Sequence, residues 1–144
     1  MPVTFTNNWK NIVDKLQSIL RTEFGGSMPV YRGMQKTTGN QYLRLVPVSS
    51  DLLEYNTTSE TREFTIQVLY YFFEKNMRET ALDHVMRMTS RIEALIHDNI
   101  AMTLTDSSNL FNCRFETTTL NADEDEEAYV VEWEWKAQHL GNIS

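Results

Sequence analysis

The stretch that most constrains this chain is residues 62–76, "REFTIQVLYYFFEKN". Its first half alternates, with Phe64, Ile66 and Val68 opposed to Glu63, Thr65 and Gln67. A period of two predicts a β-strand. The alternation then fails: Val68, Tyr70 and Phe72 face one way, and Leu69, Tyr71 and Phe73 the other. A strand with one wet face keeps alternating, whereas one apolar on both faces needs cover on both. Two sources of cover are open. Either helices of the same chain lie on each face, or one face meets another protein chain, where aromatic residues and Met are enriched.

Two segments carry helical periodicity. Trp9, Ile12, Val13, Leu16, Ile19, Leu20 and Phe24 recur at steps of three and four, which sets one apolar stripe on a helix of about four turns. Asn7 or Asn8 supplies a side-chain acceptor for the first turn, and Gly25-Gly26 supplies a residue able to take positive φ at the end. A second helix is predicted to start near Met77, since Asn76 and Glu79 have capping-box spacing. Leu82, Val85, Thr89, Ile92 and Ile96 form its stripe, widened by Ala81, Met86, Met88 and Leu95; Asp83, His84, Arg87, Arg91, Ala94 and His97 fall mostly opposite. So wide an arc suits a helix that lies on a sheet and also touches a neighbour. Leu69, Tyr71, Phe73, Met86 and Met88 are therefore the candidate subunit-interface residues.

Further extended segments complete the sheet. "SMPVYRG" reads as a short extended piece, and "MQKTTGN" as a loop. In "QYLRLVPV", Tyr42, Arg44, Val46 and Val48 alternate with Leu43 and Leu45, and Pro47, lacking an N–H, predicts a strand end or an edge. The polar "SSDLLEYNTTSET" reads as a link. "LFNCRFETTTL", with Phe111, Cys113 and Phe115 on one face, and "AYVVEWEWKA", with Tyr129, Val131, Trp133 and Trp135 on one face, read as an antiparallel hairpin. The tail "QHLGNIS" is too short for another element. The expected fold is α+β: one domain over residues 1–144, a mostly antiparallel sheet of four to five strands with two helices packed on it.

Composition and chemistry narrow the function classes. The chain of 144 residues carries 13 Lys and Arg against 20 Asp and Glu, a net charge of −7. Asp123, Glu124, Asp125, Glu126 and Glu127 account for most of that imbalance, and no basic patch for gripping nucleic acid is apparent. Successive carboxylates on an extended chain point to alternate sides, and a calcium loop needs spaced ligands with a glycine at its bend. The run therefore reads as the solvated turn of the hairpin. Glu132 and Glu134 imitate a hydrolase pair, but they alternate with Trp133 and Trp135, which take the buried face, and pairing with Arg114 is the simpler use. His84 and His97 are 13 residues apart, about 140° from one another around a helix, and cannot share a metal. His139 lies in the tail. Cys113 is the single cysteine, which leaves no disulfide framework, and its setting predicts a small buried hydrophobe. No nucleotide-binding or hydrolase motif occurs. No apolar run reaches the ~20 residues of a membrane span, and no signal peptide is evident, so a cytosolic protein is expected. Catalytic residues, metal and cofactor are all expected to be none.

As an order of elements, the chain resembles the tail terminator (tail completion, or minor tail) proteins of long-tailed bacteriophages. The resemblance runs from the helix ending "LRTEFGG" through the aromatic strand "REFTIQVLYYFFEKN" and the helix "ETALDHVMRMTSRIEALIHDN" to the hairpin "NCRFETTTL…AYVVEWEWKA". It implies a non-enzymatic virion protein that assembles as a homohexameric ring. Such a ring caps the tail tube, stops its polymerisation and joins it to the neck or head-completion protein, with DNA passing through the lumen without specific binding. It would sit at the head-proximal end of the tail, or in host cytoplasm during assembly. Asp123–Glu127 would then be a candidate lumen or rim loop. Three other readings stay open: a neck or head-completion connector, a small metal-dependent hydrolase using Glu132, Glu134 and a histidine, and a ligand-binding module on the Trp133/Trp135 face.

Overall fold

The computed structural model of the chain describes residues 5–33, 40–74, 79–123 and 127–142. In chain order the elements are α1 (Asn8–Phe24), β1 (Val30–Arg32), β2 (Gln41–Tyr55), β3 (Ser59–Phe73), α2 (Glu79–His97), β4 (Met102–Thr103), β5 (Asn109–Asp123) and β6 (Ala128–Asn142). The fold is α+β, with a six-stranded sheet in the order β1-β2-β3-β6-β5-β4. This corrects the expected four to five strands, because β1 and β4, at three and two residues, carry no periodicity of their own. The sheet is mixed: β1 runs parallel to β2, and the remaining pairs are antiparallel.

Local chemistry sets the helix ends. The Asn7 side chain accepts the Lys10 N–H at 3.1 Å, closing the first turn of α1. Gly25, at φ 59°, stops the helix and donates its N–H to the Arg21 carbonyl at 2.8 Å. The proposed Asn76 cap of α2 lies outside the described residues.

Both helices pack on the same face of the sheet. Ile12, Leu16 and Leu20 of α1 and Val85, Ile92 and Ile96 of α2 join Leu43, Leu45, Phe64, Ile66, Val68, Tyr70, Val131, Trp133 and Trp135 in one core. The register explains this common face: Tyr70 stands between Leu43 and Val131, Val68 between Leu45 and Trp133, and Ile66 opposite Trp135. Full burial of each such side chain contributes ~1.5–3 kcal/mol. Among the described residues, no helix lies on the opposite face of β3, which carries Leu69, Tyr71 and Phe73. The first of the two covers left open by the sequence is therefore not the one adopted.

Several strand boundaries differ from expectation. Residues 49–61, read as a link, form the outer half of a long β2–β3 hairpin. Its turn is closed by the Asn56 side chain, which accepts the N–H groups of Thr58 and Ser59 at 2.9 and 2.8 Å. Register shifts at Pro47/Ser49 and Leu52/Glu54 break the alternation there and hid the strand. Pro47 lies inside β2 but at an edge, since β1 covers only Leu43–Leu45. The tail is likewise strand, as β6 pairs with β3 as far as Asn142. Phe111, Cys113 and Phe115 do not share one face. Asn112, at φ 54°, sits in a bulge, so Phe111 is exposed while Cys113 is buried.

Candidate functional site

The face of the sheet left bare by the helices carries two features. The first is an aromatic strip at the end where β3 finishes and β2 begins. Tyr42 and Tyr71 are cross-strand partners whose rings stack at 4.8 Å between centroids. Tyr71 stacks in turn on Phe73 at 6.3 Å, and Tyr31 of β1 meets Tyr42 edge-on at 5.8 Å. The Arg44 guanidinium lies over both tyrosines, 5.6 Å from the Tyr42 centroid and 5.5 Å from that of Tyr71. Arg44 is buried by this packing, its stem along rings and its charge against their π-faces. Burial raises the Tyr71 hydroxyl above its ordinary pKa, and the Arg44 cation partly counteracts that.

Each predicted interface residue can now be placed. Leu69 lies beneath Arg44 in register and is 5% exposed, so it is the floor of the strip rather than its surface. Tyr71 and Phe73 are half-buried and form the outer layer. Met86 is 46% exposed on α2, whereas Met88, at 7%, turns into the core on the other side of the sheet. The five residues thus do not form one surface. Tyr42 and Arg44, which do belong to the strip, were visible only as an alternating "QYLRL", and Tyr31 only within the short extended "SMPVYRG"; their meeting with Tyr71 needs the β1–β2–β3 register.

The second feature is a polar hollow of about 390 Å³ beside the strip, lined by Val48, Thr65, Gln67, Thr117, Thr119, Glu132, Glu134 and Lys136. Ion pairs lie along it. Lys136 Nζ is 3.3 Å from Glu134 and 3.7 Å from Glu63, and Arg114 reaches Glu63 at 3.0 Å and Glu116 at 2.6 Å. The expected pairing of Arg114 with Glu132 or Glu134 is therefore replaced, because the bulge before Arg114 sets it opposite Lys136. Burial alone would raise the Glu63 carboxyl. Hydrogen bonds from Arg114 and Gln138, with the Arg114 and Lys136 cations, outweigh burial and hold it below the ordinary carboxylate range.

Among the described residues, the candidate acids and the histidines are not brought together on this face. Glu132 and Glu134 face the hollow, whereas the histidines lie on the helix side or outside. His84 sits 4.9 Å from the Phe72 ring; His97 is exposed; His139 is buried with its Nε2 3.0 Å from Ser108 Oγ. The sheet itself separates Glu132 and Glu134 from the imidazoles. Among the described residues no three His, Cys, Asp or Glu side chains converge on a point that would hold a metal ion. The indole faces of Trp133 and Trp135 are inside the core, leaving no open Trp133/Trp135 surface for a ligand.

The acidic run lies between β5 and β6, which pair as the expected hairpin. Asp123 ends β5, and Glu127, exposed at φ 52°, accepts the Glu74 N–H on its carbonyl at 2.9 Å. Glu124, Asp125 and Glu126 lie outside the described residues. Since Phe73 pairs with Ala128, this turn stands at the same end of the sheet as the aromatic strip.

No protein-family model and no curated protein sequence matches the chain. Among solved structures it is similar to a chain of the virion of a native gene transfer agent particle, with a TM-score of 0.55 and 14% identity. That match covers 93% of this chain and 95% of the other. It is also similar to a second solved protein chain, with a TM-score of 0.64 at 12% identity, covering 96% and 99%. At such identities the likeness is one of fold, and it spans nearly the whole of each chain.

Proposed function

We propose that this chain is a structural virion component, with no chemistry of its own, that works by association with copies of itself and with other particle proteins. The observation that carries the reading is the likeness of fold, nearly end to end, to a chain of a gene transfer agent virion. The aromatic strip supports it, because Tyr71 and Phe73, half-buried on the face that carries no helix among the described residues and stacked beside the buried Tyr42, have the composition of a contact surface. Within that class, the element order that resembles tail terminators favours a homohexameric ring. The ring caps the tail tube, halts its growth and joins it to the neck protein, while DNA passes through the lumen. Tyr71 and Phe73 are the strip's contact residues, and the neighbouring turn at Asp123 and Glu127 lies at the lumen or a rim. Negative charge there would keep DNA from adhering.

Mixing purified protein with isolated tail tubes and with tailless capsids tests this reading. Binding confined to tube ends, with tube length fixed on addition, is expected. Binding confined to capsid necks would make the protein a head-completion connector instead. Monomeric protein that binds neither would remove the structural reading.

A further inference from the structure

The backbone of an edge strand offers unpaired N–H and C=O groups along its outer side. β1 covers β2 only at Leu43–Leu45, and β4 covers β5 only at Asn109 and Leu110. Among the described residues, β2 from 46 to 55 and β5 from 116 to 123 therefore have no strand outside them. Residues 51–55 and 116–123 are all exposed. Natural edges are commonly kept short or blunted with charge. The β5 stretch, "ETTTLNAD", is instead long and threonine-rich, a composition that favours pairing.

We infer that these two stretches pair with each other between copies: β5 of one copy adds to β2 of the next, and the sheet continues across the contact. The inference rests on the reading of the chain as a repeating subunit and supplies the contact by which it repeats. Two features select a second copy as the occupant. Directions match: β2, β3, β6 and β5 alternate, so a copy set beside the first in the same orientation brings β5 against β2 antiparallel. Faces match as well. Leu52, opposite Arg62, and Leu120, opposite Val131, both lie on the helix-bearing side, 49% and 43% exposed; in antiparallel pairing with Asp51 facing Thr119, Leu52 faces Thr118 and is a diagonal neighbour of Leu120.

The register also sets the shape of the assembly. Asp51 stands opposite Glu63 of β3, whereas Thr119 stands opposite Glu132 and, through it, Leu69, six residues further along β3. At ~3.3 Å per residue, pairing the two edges shifts each copy by ~20 Å along the strands. The four strands from β2 to β5 are ~19 Å wide at ~4.8 Å spacing. Copies thus step along the strands about as far as across them, a tilt of ~45°, at the upper end of the range by which sheets close into barrels. The contact is head-to-tail, so it closes as a ring or runs on as a filament.

Disulfide trapping tests this directly, in a Cys113→Ala background that leaves only introduced thiols. Mixed Leu52→Cys and Thr118→Cys single variants, whose positions face one another in this register, are expected to form a covalent heterodimer on mild oxidation, and the double variant a ladder of higher species. As a second arm, Leu52→Lys and Leu120→Glu each weaken association about tenfold or more, and combining them restores it. If the wild type is an oligomer but no trapped species forms and both charged variants assemble normally, edge pairing is overturned while the repeating-subunit reading stands. A wild type that stays monomeric, alone and with tail tubes, and yields no trapped species removes both.

Discussion

Tyr70 and Tyr71 are sequence neighbours on opposite faces of β3, and truncating each to alanine separates packing from association. Tyr70 is fully buried in the core, and its hydroxyl donates to Gln41 Oε1 at 2.9 Å. Removing its ring leaves a cavity and an orphaned acceptor, a loss of ~3–5 kcal/mol of stability. Tyr71 is half-exposed, stacked on Tyr42 and Phe73 with Arg44 above it. Its stacking contributes ~0.5–1.5 kcal/mol and the cation–π contact ~0.5–1 kcal/mol. Tyr71→Ala therefore lowers subunit stability by ~1–2.5 kcal/mol on those figures. If the strip is a contact surface, Tyr71 belongs at its centre, where truncation typically costs ~2 kcal/mol or more, about 30-fold in affinity. Urea unfolding reads the first quantity, and light scattering over a concentration series reads the second. Tyr70→Ala is expected to lose stability and Tyr71→Ala to lose association. A Tyr71→Ala protein with unchanged assembled mass at every concentration, or one as unstable as Tyr70→Ala, would refute the assignment of the strip as a surface for other chains.

Further predictions concern the titrating groups. The Glu63 carboxyl is held low by Arg114 and Gln138, so its contribution is present above the unfolded pKa of ~4.5 and lost as pH falls through the folded value. Glu63→Gln should lose ~1–2 kcal/mol near neutral pH and flatten the acid limb of a urea-stability profile, on the usual worth of a charged hydrogen bond. His139 is depressed by burial, with the Asp106 and Glu60 charges opposing. The unfolded chain binds its proton more readily, so stability declines as pH falls through ~6.5, and an NMR titration should find the folded imidazole neutral below that pH. The Cys113 thiol, pushed up to about 11 by burial, should resist thiol reagents at pH 8 and react at once in denaturant.

Much of the fold was legible because the patterns involved are local. The α1 stripe, its Asn7 cap and Gly25 stop, the two faces of β3 and the β5–β6 hairpin all follow from spacing within one segment. What stayed hidden depends on register or on which side an element packs. A helical stripe shows that α1 and α2 bury one face each, yet says nothing of whether they share a side of the sheet. The β2–β3 extension was masked by Pro47 and two bulges, and its exposed Leu52, Leu53 and Tyr55 carry no clean alternation. The Tyr42–Arg44–Tyr71 cluster joins residues 29 positions apart, so only the pairing of strands reveals it. The Arg114 partners were misplaced for a related reason, since the Asn112 bulge shifts β5 relative to β6.

Electron microscopy of the purified protein, alone and after mixing with tail tubes, tests the central claim most directly. The account predicts closed rings of identical subunits, six to a ring, seated on one end of each tube. Uniform single subunits under both conditions, with tube ends bare, would contradict it.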